Sequence, residues 1–97
     1  MRTMTVDVIH NSSQHRFETT VDGHVAYVQY RMKDGVIEFI HTEVPRELEG
    51  RGIASRIVQT ALGYAREQKL PVIPRCPFVA AWIHRHPTYE DLVREWV

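Results

Sequence analysis

A thiol at Cys76, an imidazole at His41 and a glycine-bearing turn, Glu49-Gly50-Arg51-Gly52-Ile53-Ala54-Ser55, are the parts of this sequence with the most chemistry in them. Cys76 precedes Pro77, a residue suited to the first position of a helix, so the thiol stands at a helix cap. A helix N-terminus favours thiolate, the nucleophilic form. An imidazole is a common general base in proteins, a role open to His41. The turn leads into a helical pattern, where the first backbone N–H groups have no intrahelical partner and the helix dipole adds positive potential. Such a turn can hold a phosphate. Gly50 and Gly52 lack a Cβ and let a ligand approach the backbone.

Each group also has a plainer explanation. A free cysteine is commonly a small buried packing residue. Strand parity groups His41 with Ile37, Phe39 and Glu43, so its ring faces the core, a gap or solvent. A lone G-x-G fits any tight strand-to-helix turn. The turn lacks the Gly-Lys-Ser/Thr ending of an NTPase loop, and lacks a G-x-G-x-x-G followed about 20 residues later by an acidic residue. Arg51 and Arg56 can supply charge to a phosphate, although Arg56 also fits a solvated helix face. Tyr89, spaced helically with Leu92 and Val93, suits core packing. His84-Arg85-His86 does not make a metal site, because residues two apart do not share a helix face.

The elements that position these groups follow from periodicity. Met4–His10 has an edge-strand pattern, and Asn11-Ser12-Ser13 is turn chemistry. Gln14–Val21 puts Phe17, Thr19 and Val21 on one face. His24–Met32 points Ala26, Val28, Tyr30 and Met32 inward. Asp22-Gly23 and Lys33-Asp34-Gly35 are hairpin signals, so four antiparallel strands ending with Val36–Val44 form a meander. Ile53, Ala54, Ile57, Val58, Ala61, Leu62 and Ala65 then recur at helical steps, predicting a helix from Arg51 or Gly52 to about Gln68. Pro71–Arg75 reads as a short fifth strand, parallel to Val36–Val44 because a helix connects them. Pro71 and Pro74 cannot donate ladder hydrogen bonds, so a gap should open at the carboxyl ends of the two parallel strands. Ligands bind open α/β sheets at such ends. A short helix covers Phe78, Val79, Ala81, Trp82 and Ile83. Thr88 and Asp91 start a last one with Tyr89, Leu92, Val93 and Trp96 as its buried stripe.

Ninety-seven residues make one domain, 1–97. Twelve basic and twelve acidic residues cancel, which argues against a nucleic-acid or anionic-membrane surface. One cysteine excludes an internal disulfide and fits a reducing cytoplasm. The N-terminus lacks the apolar core of a signal peptide, and no run has membrane-spanning length.

The longer string Val44-Pro45-x-x-x-x-Gly50-Arg51-Gly52-Ile53-Ala54 resembles the acetyl-CoA pyrophosphate loop of the GNAT superfamily of N-acetyltransferases, written Q/R-x-x-G-x-G/A. The resemblance continues through His41-Thr42-Glu43-Val44-Pro45, Arg75-Cys76-Pro77-Phe78-Val79 and His86-Pro87-x-Tyr89. Together these look like the small, roughly hundred-residue branch of that superfamily. It implies a minimal GNAT fold of the α/β (α+β) class: a mixed, mostly antiparallel sheet of about five strands, one long central helix and two short C-terminal helices. The implied activity is transfer of an acetyl group from acetyl-CoA to a primary amine of a small molecule or protein, by a monomer or weak homodimer. The alternative is a CoA-binding regulatory module with little catalysis. The implied coenzyme contacts are the amides of Gly50, Arg51, Gly52, Ile53, Ala54 and Ser55, with backbone groups at Glu43 and Val44 pairing with the pantetheine. Cys76 and His41 are the implied catalytic pair across the gap. Glu49 departs from the family pattern. A carboxylate about 4 Å from a phosphate costs about 1 kcal/mol in water and about 4 at lower effective dielectric, and Arg51 can compensate. Larger GNATs wall the acceptor pocket with an N-terminal helix pair, for which this sequence has no pattern, so the acceptor side should be open.

Overall fold

A computed structural model describes residues 6–97. Alternating strand residues and two Asp-Gly hairpin turns build a five-stranded sheet in the order β1 (Ile9–Asn11), β2 (Arg16–Val21), β3 (His24–Lys33), β4 (Val36–Glu43) and β5 (Val72–Pro74). The first four strands run antiparallel in sequence order, and β5 lies parallel to β4. Between them runs α1 (Ile53–Glu67), which buries Ile53, Ile57, Val58, Ala61, Leu62 and Ala65. It ends at Lys69, whose left-handed backbone lets the Leu70 N–H reach the Ala65 carbonyl at 2.8 Å. A second helix, α2 (Pro77–Arg85), follows β5 and adds Val79, Trp82 and Ile83 to the same core. The helices share one side of the sheet with Phe17, Ala26, Val28, Ile37 and Phe39. Arg16, Glu18, Tyr27, Gln29 and Arg31 occupy the other.

A single irregularity decides which face each side chain at the end of β4 occupies. Tyr30 pairs with Phe39 but Gln29 pairs with His41, so Ile40 is an extra residue in β4. A bulge of this kind reverses strand parity beyond it. Thr42, opposite the buried Val28, therefore lies on the helix-covered face, and His41 and Glu43 lie on the open one.

Three local expectations change. Residues 4 and 5 of the Met4–His10 strand lie outside the described residues. Within them pairing starts only at Ile9, because the Asp7 carbonyl is taken by the Thr19 hydroxyl at 2.7 Å instead of a ladder partner. Met32 shares a face with the buried Ile37 yet is 46% exposed, because the helical layer stops short of that hairpin. The last helix is only a 3-10 turn, Pro87–Leu92. Val93 leaves it to bridge Val72, and the Arg94 N–H bonds the Val72 carbonyl at 2.9 Å, since the free edge of β5 offers a ladder partner. Trp96 consequently misses the core and stacks on His84 at 4.2 Å.

Glu38 sits on the open face but is almost wholly covered. Arg31 reaches its Oε1 at 2.6 Å and Arg75 at 3.1 Å. The Arg31 hydrogen bond above all, helped by Arg75 and opposed by burial, holds the Glu38 carboxyl below the ordinary value of 4.5. A carboxyl lowered on folding stabilises the protein above its unfolded-state value, and that contribution disappears as pH falls through the folded one. Glu38→Gln should therefore be less stable than wild type near about pH 7, with the difference narrowing towards about pH 3. Urea melts at the two pH values measure this; a difference independent of pH would mean that ionised Glu38 is not the stabilising species.

Candidate active site

The chain leaves β4 through Val44-Pro45, forms a 3-10 turn at Arg46–Leu48 anchored by the buried Leu48, and enters α1 through two glycines. Gly50 (φ 79°) and Gly52 (φ 73°) are left-handed, a region that costs an L-residue about 1–2 kcal/mol. A Cβ at either would meet no atom within 4 Å, so backbone conformation and not packing calls for glycine here. The Arg56 N–H to Gly52 carbonyl bond (3.2 Å) opens the helix. The amides of Ile53, Ala54 and Ser55 precede it, with no acidic side chain in the first turn. Gly50, Gly52, Ile53, Ala54 and Ser55 line an open cavity of about 360 Å³ together with Val44, Glu49, Phe78 and Arg85.

At the other end of the β4–α1 connection the two parallel strands separate. Their ladder covers only Ile37–Phe39 against Val72–Pro74. The last backbone link is the Cys76 N–H to the Phe39 carbonyl at 2.8 Å, and beyond it Ile40–Glu43 extend past the end of β5. Cys76 is the N-cap residue of α2 and is 5% exposed. Its Sγ lies 3.3 Å from Thr42 Oγ1.

His41 does not meet this thiol. Its Nε2 lies 2.9 Å from Glu43 Oε1, and its ring stands 6.2 Å from that of Tyr27 on the open face. The His41–Cys76 pair across the gap is thus replaced by Thr42–Cys76, and the Ile40 bulge is the reason. Arg51 also differs from expectation. Its Nη1 is 3.2 Å from Asp22 Oδ2 and it does not line the cavity. Arg56 is exposed and does not line it either. Tyr89 packs partly against the core beneath the Arg66 guanidinium.

Three contributions are visible only in the folded chain. Thr42 needed the bulge. Phe78 and Arg85, seven residues apart on one face of α2, line the cavity together. Ser55 accepts a 2.7 Å hydrogen bond from Trp82 Nε1, which ties the first turn of α1 to α2. A second cavity, of about 390 Å³, lies beside the later turns of α1, lined by His10, Phe17, Tyr64 and Glu67. It has no helix entrance among its walls.

Residues 16–92 match the family model described as GCN5-related N-acetyl-transferase. The chain belongs to this family. Protein NATD1 of mouse is 30% identical over 59 residues, covering 61% of this chain and 54% of the relative. The chain thus spans about half the length of that relative. Protein NATD1 of Xenopus tropicalis is 26% identical over 94 residues, covering 93% of this chain and 85% of the relative. The fold is similar to the solution structure of a GCN5-like putative N-acetyltransferase from Staphylococcus aureus. That match has a TM-score of 0.71 and 23% identity, covering 94% of this chain and 87% of the other. For this family member, the mixed sheet, single long helix and glycine entrance constitute the GNAT-like fold. No helix among the described residues is long and apolar enough to cross a membrane.

Proposed function

We propose that this chain transfers the acetyl group of acetyl-CoA to a primary amine carried by a small molecule or a protein. The observation that carries the reading is the cavity at the entrance of α1. Left-handed Gly50 and Gly52 there lead into Ile53, Ala54 and Ser55, whose amides precede the first helical hydrogen bond. All five residues line one space in a chain of this family. Those amides take the diphosphate, and the stretch at Glu43 and Val44, beyond the β5 ladder, takes the pantetheine. The thioester then lies near Cys76, and backbone groups around Glu43 and Val44 polarise its carbonyl.

The amine enters from the open face of the sheet. His41 stands there with Glu43 orienting one ring nitrogen, so the other can take a proton from the attacking amine. The amine nitrogen bonds to the carbonyl carbon, and the carbon–sulfur bond breaks to release CoA thiolate, which is protonated. Cys76, the sole cysteine, suits a reducing compartment. Its role is to shape the thioester end or to carry the acetyl group briefly.

The separation of His41 from Cys76 favours a second reading, a module that binds CoA and turns it over little. Thiol release and a melting scan distinguish the two. Acetyl-CoA at about a hundredfold its dissociation constant should add about 2.7 kcal/mol, which is upwards of about 10 °C for a domain of this size. Incubation with an amine should release free CoA, with His41→Ala slowed and its melting shift retained. A full shift with no thiol release from any amine supports the binding module; no shift with CoA or acetyl-CoA removes both readings.

A further inference from the structure

The coenzyme cavity contains a charge problem that the loop does not solve. A diphosphate and a 3′-phosphate bring several negative charges, whereas a helix entrance offers the equivalent of about half a positive one. Glu49 adds a carboxylate to the cavity wall. Arg51, the nearest cation in sequence, is engaged by Asp22 and absent from the wall. Arg85 is present in the wall, at the last position of α2. Among the described residues it takes part in no ion pair. Its approach is fixed by the body of α2, because Phe78, two helical turns earlier, lines the same cavity and Trp82 between them is bonded to Ser55.

We propose that Arg85 is the cation that pairs with a phosphate of CoA, an assignment that rests on the acetyl-CoA reading of this cavity. A guanidinium fork presents two parallel donors to phosphate oxygens and keeps its charge at any working pH. Arg85 thereby offsets Glu49, the role the sequence offers to Arg51. It is a residue of coenzyme affinity and not of the acyl-transfer step.

Calorimetric titration of CoA and of dephospho-CoA into wild type, Arg85→Gln, Arg85→Lys and Arg56→Gln tests this. Arg85→Gln should bind CoA about tenfold or more weakly, with Arg85→Lys recovering part of the loss and Arg56→Gln close to wild type. A loss restricted to CoA identifies the 3′-phosphate as the partner, and an equal loss with dephospho-CoA identifies the diphosphate; both support the assignment. CoA affinity within about twofold of wild type in Arg85→Gln would overturn it. So would equal losses in the Gln and Lys variants, which would point to shape instead of charge. Melting curves without ligand confirm that each variant folds. A wild type that binds no CoA would remove the acetyl-CoA reading itself, and this assignment with it.

Discussion

Trp82→Ala should cost about 3–5 kcal/mol of folding stability, the range for deleting a buried tryptophan. Trp82 is 2% exposed, so its whole side chain leaves a hole between α1 and α2. Its Nε1–H is bonded to Ser55 Oγ at 2.7 Å, and its ring stacks on His86 at a centroid distance of 3.7 Å. Alanine therefore removes packing, a hydrogen bond and a stacking partner at one position. Small domains are stable by about 5–15 kcal/mol, so the variant should lie near the folding threshold. Each kcal/mol corresponds to about 4–8 °C in Tm. Trp82→Phe keeps most of the volume and loses the bond to Ser55, so it should fall well short of the alanine variant. Thermal melts of both measure the difference. Equal losses would show that the hydrogen bond and not the packing holds the two helices together.

Gly52→Val should weaken CoA binding about tenfold or more, the scale of losing one amide bond to a charged oxygen. Valine at φ 73° is a genuine backbone outlier. With no steric obstacle to a Cβ at this site, the cost is conformational, at least about 1–2 kcal/mol. The chain relieves it by rotating Gly52 out of the left-handed region. That swings the Ile53, Ala54 and Ser55 amides away from the cavity. A folded Gly52→Val with wild-type affinity for CoA would separate the glycine from coenzyme binding.

Strands β2 to β4, the long helix, the parallel fifth strand and the gap beyond it were legible in the sequence, because each rests on periodicity or on the chemistry of Gly and Pro. Phe17, Ala26 and Val28 alternate, Ile57, Val58 and Ala61 recur helically, and all are buried. The turn into α1 was legible from its glycines. The relation of His41 to Cys76 was not. It depends on one extra residue, Ile40, and a single insertion exchanges the two faces of everything beyond it. Arg51 is missing from the cavity wall for a similar reason. Charge can be counted along a sequence, but Asp22 comes within 3.2 Å of Arg51 only after the β2–β3 hairpin has formed. The final turn escaped because its rival was non-local. Tyr89, Leu92, Val93 and Trp96 have helical spacing, yet the edge of β5 took the Val93–Arg94 backbone first.

In the proposed function, coenzyme binding and acyl transfer both depend on the entrance of α1 holding the diphosphate of acetyl-CoA. Amide-resolved NMR of the wild type, titrated with acetyl-CoA, tests this most directly. The largest shifts should fall at Gly50, Gly52, Ile53, Ala54 and Ser55, continue to Glu43 and Val44, and need about tenfold or more acetyl-CoA to saturate in Gly52→Val. Shifts clustered instead around His10, Phe17 and Tyr64 at the second cavity, with the α1 entrance unchanged, would contradict it.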